Sequence, residues 1–351
     1  MSKIFLSPNQ NLLAAIEAIE RSMTRMVVVC DEKTKLLGTL TDGDIRRCLL
    51  RGGSLQTNVC EAMNKNPIFA KEGSSQNLIF DMMRKNNVFA VPIVNHNNIF
   101  TNIVDIKEIA SGTGVKLSNN TFECAVIMAG GLGSRLRPLT INTPKPMIEV
   151  GGIPLLERQI KLIRKFGIRK VFLSVNYLSY VIQEYFKDGS DFDVEIKYLE
   201  EKNNYGTAGS LSLMPKDSKG PFLVLNGDIL TNSNLNGLFE FHKLNKANIT
   251  IASVDYKVAV PYGTLKVQDM NLVALEEKPN LRFLCNAGIY VLERNCLDYI
   301  PNEEKFNMTD LIDSFLGLKK KVSVFPLYEY WSDIGTLEDL EKARECYKFL
   351  N

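Results

Sequence analysis

Apolar runs separated by glycine, proline and asparagine recur along the chain, and their period switches between that of a strand and that of a helix. Residues 124–128, 170–175, 194–199 and 222–225 are short stretches rich in apolar residues; those that are nearly continuous fit strands covered on both faces. Residues 154–166 and 178–186 carry apolar positions at helical spacing between those strands. This alternation predicts an α/β domain on a Rossmann-like, mainly parallel sheet. After residue 248 the pattern becomes strand-rich, over 249–254, 263–267 and 286–292, and predicts an added sheet region. Helical patterns at 309–316 and 337–349 finish the chain.

The first third has a different rhythm. A helical stretch at 11–19, a strand at 26–30 and the segment 36–52 form one unit. A second unit begins near residue 62, with a helix at 78–86, a strand at 89–94 and the segment 99–110. The two units recur at a spacing of about sixty residues, the mark of a supersecondary repeat. Residues 111–121, rich in Ser, Gly, Asn and Thr, read as a linker. The expected division is 1–118 and 119–351.

Between these units and the C-terminus, residues 130–147 (GGLGSRLRPLTINTPKPM) carry the densest chemistry. They follow the strand pattern ECAVIMA and precede a helix, so a glycine turn there brings backbone N–H groups to a phosphate without Cβ interference. Ala129, Gly130, Gly131, Gly133 and Ser134 form the candidate cradle, and Arg135, Arg137 and Lys145 set positive charge beside it. The spacing is neither that of a P-loop, which needs a lysine directly after its last glycine, nor that of a dinucleotide fingerprint, whose third glycine is replaced by Leu136. Gly206, Thr207, Ala208 and Gly209 offer a second small-residue turn against which a flat base could lie. Asp228 follows the strand pattern FLVLNG, where open α/β sheets bind ligands, and Asp333 precedes the last helix. Each has a plainer reading: Asp333 as a helix cap, Asp228 as a turn residue, and Glu277 with Lys278 as an exposed ion pair.

Taken in order, GGLGSRLRPLT, TPKPM, NGD, EEKP, NAGIY and WSDIGT resemble the sugar-1-phosphate nucleotidyltransferases. The resemblance implies a triphosphate cradle at residues 130–135, with Arg135 on the pyrophosphate and Lys145 on the reacting phosphates. It implies Asp228 and Asp333 as the ligands of Mg²⁺, and Lys278, Glu277 and Asn286 on the sugar phosphate, with Tyr262 and Gly263 near the sugar. The likeness is nearest to CBS-fused glucosamine-1-phosphate guanylyltransferases of legionaminic acid synthesis, or to mannose-1-phosphate guanylyltransferases, and uridylyl or thymidylyl transfer stays open. The repeat in the first third resembles a pair of CBS domains. There the Thr-x-x-Asp element, Thr41 and Asp44, implies contact with an adenine nucleotide, whereas Asp105 and Glu108 occupy the equivalent places in the second repeat. A purely structural, oligomer-forming pair is the alternative for that module, with Thr41 and Asp44 only capping a helix. A catalytically silent nucleotide sensor is the alternative for the whole chain.

Composition narrows the partners. With 42 basic and 40 acidic residues in 351, the net charge of +2 gives no nucleic-acid footprint. No apolar run approaches the roughly 20 residues of a membrane span, and the start MSKIFLSPNQ lacks a signal-peptide pattern. Seven cysteines form no C-x-x-C pair and read as reduced packing residues of a cytoplasmic protein. The expected partners are an NTP and a sugar-1-phosphate, with self-association into a homo-oligomer implied by resemblance alone. Only two histidines are present, neither in a motif. That suits a reaction whose phosphate nucleophile is already ionised and needs no general base.

Overall fold

The computed structural model describes residues 5–22, 24, 26–86, 88, 90–105, 122–215, 220–327 and 329–347. The expected linker at 111–121 lies outside them. The chain divides into two units, Met1–Asn120 and Thr121–Asn351.

In the first unit the elements are β1 (Phe5–Leu6), α1 (Leu12–Arg21), β2 (Met26–Cys30), β3 (Leu36–Thr41), α2 (Asp42–Leu50), α3 (Val59–Ala62), β4 (Ala70–Lys71), α4 (Gln76–Asn86), β5 (Ala90–Val94) and β6 (Phe100–Asp105). The repeat is visible in the pairing. β1 runs parallel to β2, which is antiparallel to β3; β4 runs parallel to β5, which is antiparallel to β6. α1 lays its apolar stripe, Leu12, Ala15, Ile16 and Ile19, inward. Its N-cap Asn11 accepts a hydrogen bond from the Ala14 N–H at 3.0 Å.

The second unit holds β7 (Ala125–Met128), β8 (Glu149–Val150), β9 (Ile153–Pro154), α5 (Leu155–Lys165), β10 (Lys170–Val175), α6 (Ser179–Phe186), β11 (Glu195–Glu200), β12 (Phe222–Asn226), β13 (Ile229–Thr231), α7 (Leu235–Asn245), β14 (Ile249–Ala259), β15 (Thr264–Gln268), β16 (Asn271–Glu276), β17 (Asn280–Leu292), α8 (Met308–Gly317), β18 (Val322–Pro326), β19 (Trp331–Asp333) and α9 (Leu337–Tyr347). Seven strands form one sheet in the order β11-β10-β7-β12-β17-β14-β18. The first four are parallel; β17 is antiparallel to β12 and to β14, and β18 runs parallel to β14. The strand-rich region expected after residue 248 is thus continuous with the sheet. Only the far halves of β14 and β17, with the β15–β16 hairpin, extend beyond it as an exposed ribbon.

Strand alternation explains why the sheet is buried on both sides. Ala125 and Ile127 of β7, with Leu223 and Leu225 of β12, face one core that includes Leu156, Ile160 and Ile163 of α5. Val126, Phe222 and Val224 face the other, against Met308, Leu311, Ile312 and Phe315 of α8. No helix among the described residues is long and apolar enough to cross a membrane.

Candidate active site

The parallel strands deliver their C-terminal ends to one edge of the sheet. β7 runs into Ala129 and the glycine loop, and its neighbour β12 runs into Gly227 and Asp228. From β7 the chain proceeds outward through β10 and β11, then returns to β12 on the other side. The two loops therefore flank the point where strand order reverses, the ligand crevice of open α/β sheets.

Each glycine of the loop has its own reason. A Cβ on Gly130 would lie 3.0 Å from Glu201 Oε1 and 3.2 Å from Asn176 Cβ, so packing requires its absence. Gly133 has φ of +61°, and a Cβ there would sit 2.9 Å from both Lys145 Cβ and Thr140 Cγ2. Gly131 differs, since a Cβ would meet nothing within 4 Å. Ala129 donates its N–H to Ser174 O at 2.8 Å, whereas the N–H groups of residues 130–133 make no hydrogen bond among the described residues. Ser134 and Arg135 follow in a short 3₁₀ turn, both exposed.

Lys145 opens a second 3₁₀ turn and is only 9% exposed, yet its Nζ donates to Asp228 Oδ2 at 2.6 Å. Asp228 is in turn tied to Asp333. β13 pairs antiparallel with β19, Ile229 stands opposite Asp333, and the Ile334 N–H donates to Asp228 O at 2.9 Å. Partial burial pushes the Asp333 carboxyl above the ordinary carboxylate range, and the negative charge of Asp228 adds to this. Lys145 and Arg135 oppose the shift. A Cβ built on Gly335 would lie 3.5 Å from Arg135 Nη1 and 3.7 Å from Asp333 Oδ2, which puts guanidinium and carboxylate in one small volume. Asp333 does not cap the last helix. Thr336 and Asp339 do that, with Thr336 N–H donating to Asp339 Oδ2 at 2.8 Å and Asp339 N–H to Thr336 Oγ1 at 3.3 Å.

Two carboxylates beside unspent N–H donors suit Mg²⁺, which takes one or two protein carboxylates and completes its octahedron with phosphate oxygens and water. Among the described residues no group of three or more His, Cys, Asp and Glu is placed to hold a metal. The raised Asp333 carboxyl is compatible with such an ion, whose charge would offset the burial that chiefly raises it and the repulsion from Asp228 that adds to it.

Other candidates sit differently. The Thr207 hydroxyl accepts from the Met308 N–H at 2.9 Å, and Gly206, with φ of +77°, would carry a Cβ 2.6 Å from Asn307 Oδ1. Gly209 donates its N–H to Phe306 O at 2.9 Å. This turn is glycine-rich first because it packs on the segment leading into α8. Tyr262, Gly263, Glu277 and Lys278 lie where the ribbon joins the β15–β16 hairpin, with Tyr262 75% exposed and a Gly263 Cβ position 2.7 Å from Glu277 Oε2. Asn286 in β17 is nearer the acidic pair: its Nδ2 donates to Tyr290 Oη at 2.9 Å. Burial raises the Tyr290 hydroxyl pKa, the hydrogen bond from Asn286 opposes this, and the charge of Asp228 adds to the rise. In the N-terminal unit, Thr41 and Asp44 form a capping box on α2, with Thr41 Oγ1 donating to Asp44 Oδ2 at 2.6 Å. Asp44 also pairs with Arg47 at 2.5 Å.

Glu201, Asn176 and Thr140 escaped the sequence reading. Asn176 and Glu201 directly follow β10 and β11, so the strand-end rule that selected Asp228 would have found them. Glu201 accepts from Ser174 Oγ and from the Tyr205 N–H, and the Asn176 side chain donates to Glu201 O at 2.8 Å. Thr140, 1% exposed, donates to Gly133 O at 2.8 Å and so holds the loop from below.

The fold is a nucleotidyltransferase fold, and comparison with known proteins agrees. A family model for nucleotidyl transferases matches residues 124–348, and one for the CBS domain matches residues 1–51 and 59–112. The chain belongs to the nucleotidyl transferase family and carries CBS domains N-terminal to that region. It is 32% identical over 227 residues to a mannose-1-phosphate guanylyltransferase of Mycobacterium tuberculosis, covering 62% of this chain and 63% of that protein. It is 36% identical over 218 residues to a D-glycero-alpha-D-manno-heptose 1-phosphate guanylyltransferase of Campylobacter jejuni, covering 61% of this chain and 96% of that one. The crystal structure of HddC from Yersinia pseudotuberculosis superposes with a TM-score of 0.52 at 26% identity, over 64% of this chain and 100% of that chain. A structure of HddC complexed with GMP-PN matches with the same TM-score at 25% identity.

Proposed function

We propose that the protein is a Mg²⁺-dependent sugar-1-phosphate nucleotidyltransferase, with GTP as donor and glucosamine-1-phosphate as acceptor. Its products would be a nucleotide sugar and pyrophosphate, supplying surface glycan or nonulosonic (legionaminic) acid synthesis. The observation that carries this reading is the convergence of Lys145, Asp228 and Asp333 beside a glycine loop with unspent N–H groups. The donor is supported by the guanylyltransferase names of the relatives. Their acceptors, mannose-1-phosphate and a heptose 1-phosphate, are the rivals to glucosamine-1-phosphate.

In this reading a phosphate oxygen of the sugar-1-phosphate attacks the α-phosphorus of the NTP in line. One P–O bond forms, the bond to the β-phosphate breaks, and pyrophosphate leaves with the electron pair, so no proton need move. Both reactants are anions, and the protein's work is positioning and charge compensation. The N–H groups of residues 130–133 and the Arg135 guanidinium receive the triphosphate tail, where charge accumulates on the leaving group. Lys145, held at the end of β12 by Asp228, offers its ammonium to the transferred phosphate. Asp228 and Asp333 would hold Mg²⁺, whose charge would offset the repulsion between the α-phosphate and the anionic nucleophile. Lys278, Glu277, Asn286, Tyr262 and Gly263 are assigned to the sugar phosphate. The turn at Gly206, Thr207 and Gly209 is assigned to the base.

The N-terminal pair is assigned a structural role, because the groups expected to meet an adenine nucleotide at Thr41 and Asp44 are engaged with each other and with Arg47. Calorimetric binding of AMP or ATP to the full chain, abolished by Thr41→Ala, would reverse that assignment. The catalytic proposal is tested by pyrophosphate release from four NTPs against glucosamine-1-, mannose-1-, glucose-1- and heptose 1-phosphates. Preference for UTP or dTTP would overturn the donor, and preference for another sugar would overturn the acceptor.

A further inference from the structure

Beneath the Asn226-Gly227-Asp228 turn lies a polar side chain that no motif singles out. Gln159 sits in α5 on the stripe that carries Leu156, Ile160 and Ile163 into the core, and is 2% exposed. Its Nε2 donates to Asn226 O at 2.8 Å and to Ile229 O at 2.8 Å. These carbonyls bracket Gly227 and Asp228. One carboxamide thus staples both ends of the turn that presents the Lys145-paired, metal-facing carboxylate.

The turn has few other anchors. Gly227 N–H donates to Met128 O at 2.9 Å, and a Cβ on Gly227 would come within 2.5 Å of that oxygen, so β7 abuts the turn from one side. Ile334, just past β19, holds Asp228 O through its N–H. Gln159 supplies the floor. For stability a glutamine there cuts both ways: its Nε2 satisfies two carbonyls, and its other end finds no partner among the described residues. Its Oε1, like Asn226 Oδ1, is buried and has no hydrogen-bond partner among the described residues, a penalty that an apolar residue on the same stripe avoids. What the carboxamide provides, and leucine or methionine cannot, is two N–H donors fixing the spacing of residues 226 and 229.

We propose that Gln159 is a positioning residue for Asp228: by clamping both carbonyls that flank the turn, it sets the carboxylate against Asp333 so that the two can share a divalent ion. The inference rests on the metal-binding reading given above. It requires Gln159 to touch neither substrate nor metal, and to act through the backbone of residues 226–229.

The test uses the full-length protein and Mn²⁺ as probe. Trp331 is the sole tryptophan, two residues before Asp333 in β19, and its emission reports binding of the paramagnetic ion in competition with Mg²⁺. Gln159→Met keeps length and volume while removing both donors. It is expected to weaken Mn²⁺ binding about tenfold, the lower end of what outer supports of metal ligands contribute, and to raise the Mg²⁺ needed for half-maximal turnover in step. Ile160→Ala, one position along the same helix and facing the core, is the control. It should lower the thermal midpoint at least as far while leaving the Mn²⁺ affinity at the wild-type value. If Gln159→Met fails to fold, Gln159→Leu, which likewise has no donor at that position, should weaken Mn²⁺ binding in the same direction. Wild-type affinity in a folded Gln159 variant, or an equal loss in Ile160→Ala, would overturn the inference and leave Gln159 a packing residue. Absence of saturable Mn²⁺ binding by the wild-type protein would overturn the metal reading itself, a separate and recognisable result.

Discussion

Replacing Lys145 by methionine removes a charge without emptying its volume, and its consequences can be worked from the geometry. At 2.6 Å from Asp228, an ammonium and a carboxylate attract with on the order of 6 kcal/mol at an effective dielectric of about 20. Side-chain exposures of 11% for Lys145 and 27% for Asp228 mean that much of this offsets desolvation of the two groups. The share acting on the transition state should resemble loss of one pre-organised donor, about 2–4 kcal/mol. At about 1.4 kcal/mol per decade this is a fall of roughly 30- to 900-fold in kcat/KM. The fall should lie mainly in kcat, because the ammonium meets charge that shifts during transfer. Stability should drop as well, because Asp228 and Asp333 then face each other without their shared neighbour, and the drop should shrink at lower pH as the Asp333 carboxyl, raised by burial and by Asp228, takes up its proton. The assay is coupled pyrophosphate release beside guanidinium melts near pH 7 and near pH 4. A rate within threefold of wild type would refute the reasoning, as would a rate loss fully matched by a smaller folded fraction.

Two glycines of the loop, Gly131 and Gly133, should separate packing from ligand approach. Gly133→Ala, strained at φ of +61° and crowded by Lys145 and Thr140, should cost about 1–3 kcal/mol in denaturant melts and lower the rate. Gly131→Ala, facing open space, should leave stability within about 0.5 kcal/mol while raising KM for the nucleotide; unchanged KM would remove that glycine from the cradle. In metal-free buffer, the folded state holds the Asp333 proton more tightly than the unfolded chain, whose value is near 3.8. That contribution is therefore fully present below this pH and is lost as pH rises through the elevated folded value. Asp333→Asn should flatten the loss in thermal melts from pH 3.5 to 7. His242 is fully buried, with Nδ1 2.8 Å from Thr250 Oγ1, and burial holds its pKa below 6.5 although Glu293 pulls it upward. Stability should accordingly fall as pH drops through about 6.5, and His242→Gln should remove that slope.

Much of this architecture was legible in the chain. The apolar runs that became β7, β10, β11 and β12 lie within a residue or so of their predicted bounds, because strands buried on both faces leave a strong pattern. β18 and the outer half of β14 were not foreseen. β14 continues through Asp255, Tyr256 and Lys257, where exposure removes the apolar signal, and α7 contains asparagine and glycine that weaken its helical reading. At the site, motif order pointed to Arg135, Lys145, Asp228 and Asp333, but only pairing of β13 with β19 brings the two aspartates together across a hundred residues. The small residues at 206–209 suit a base in sequence, and sequence alone does not disclose their tight fit to residues 306–308. Gln159 left a signal: it lies three residues after Leu156 and four before Ile163, on the apolar stripe of α5, where a polar residue calls for a partner.

The central claim, that Asp228 and Asp333 hold one ion for nucleotidyl transfer, is tested most directly by pyrophosphate release from GTP and a sugar-1-phosphate across a Mg²⁺ titration. Wild-type protein should turn over only with Mg²⁺, and Asp228→Asn should be inactive at every Mg²⁺ concentration while melting as a folded protein. Turnover by Asp228→Asn at near the wild-type rate, or wild-type turnover persisting in EDTA, would contradict it.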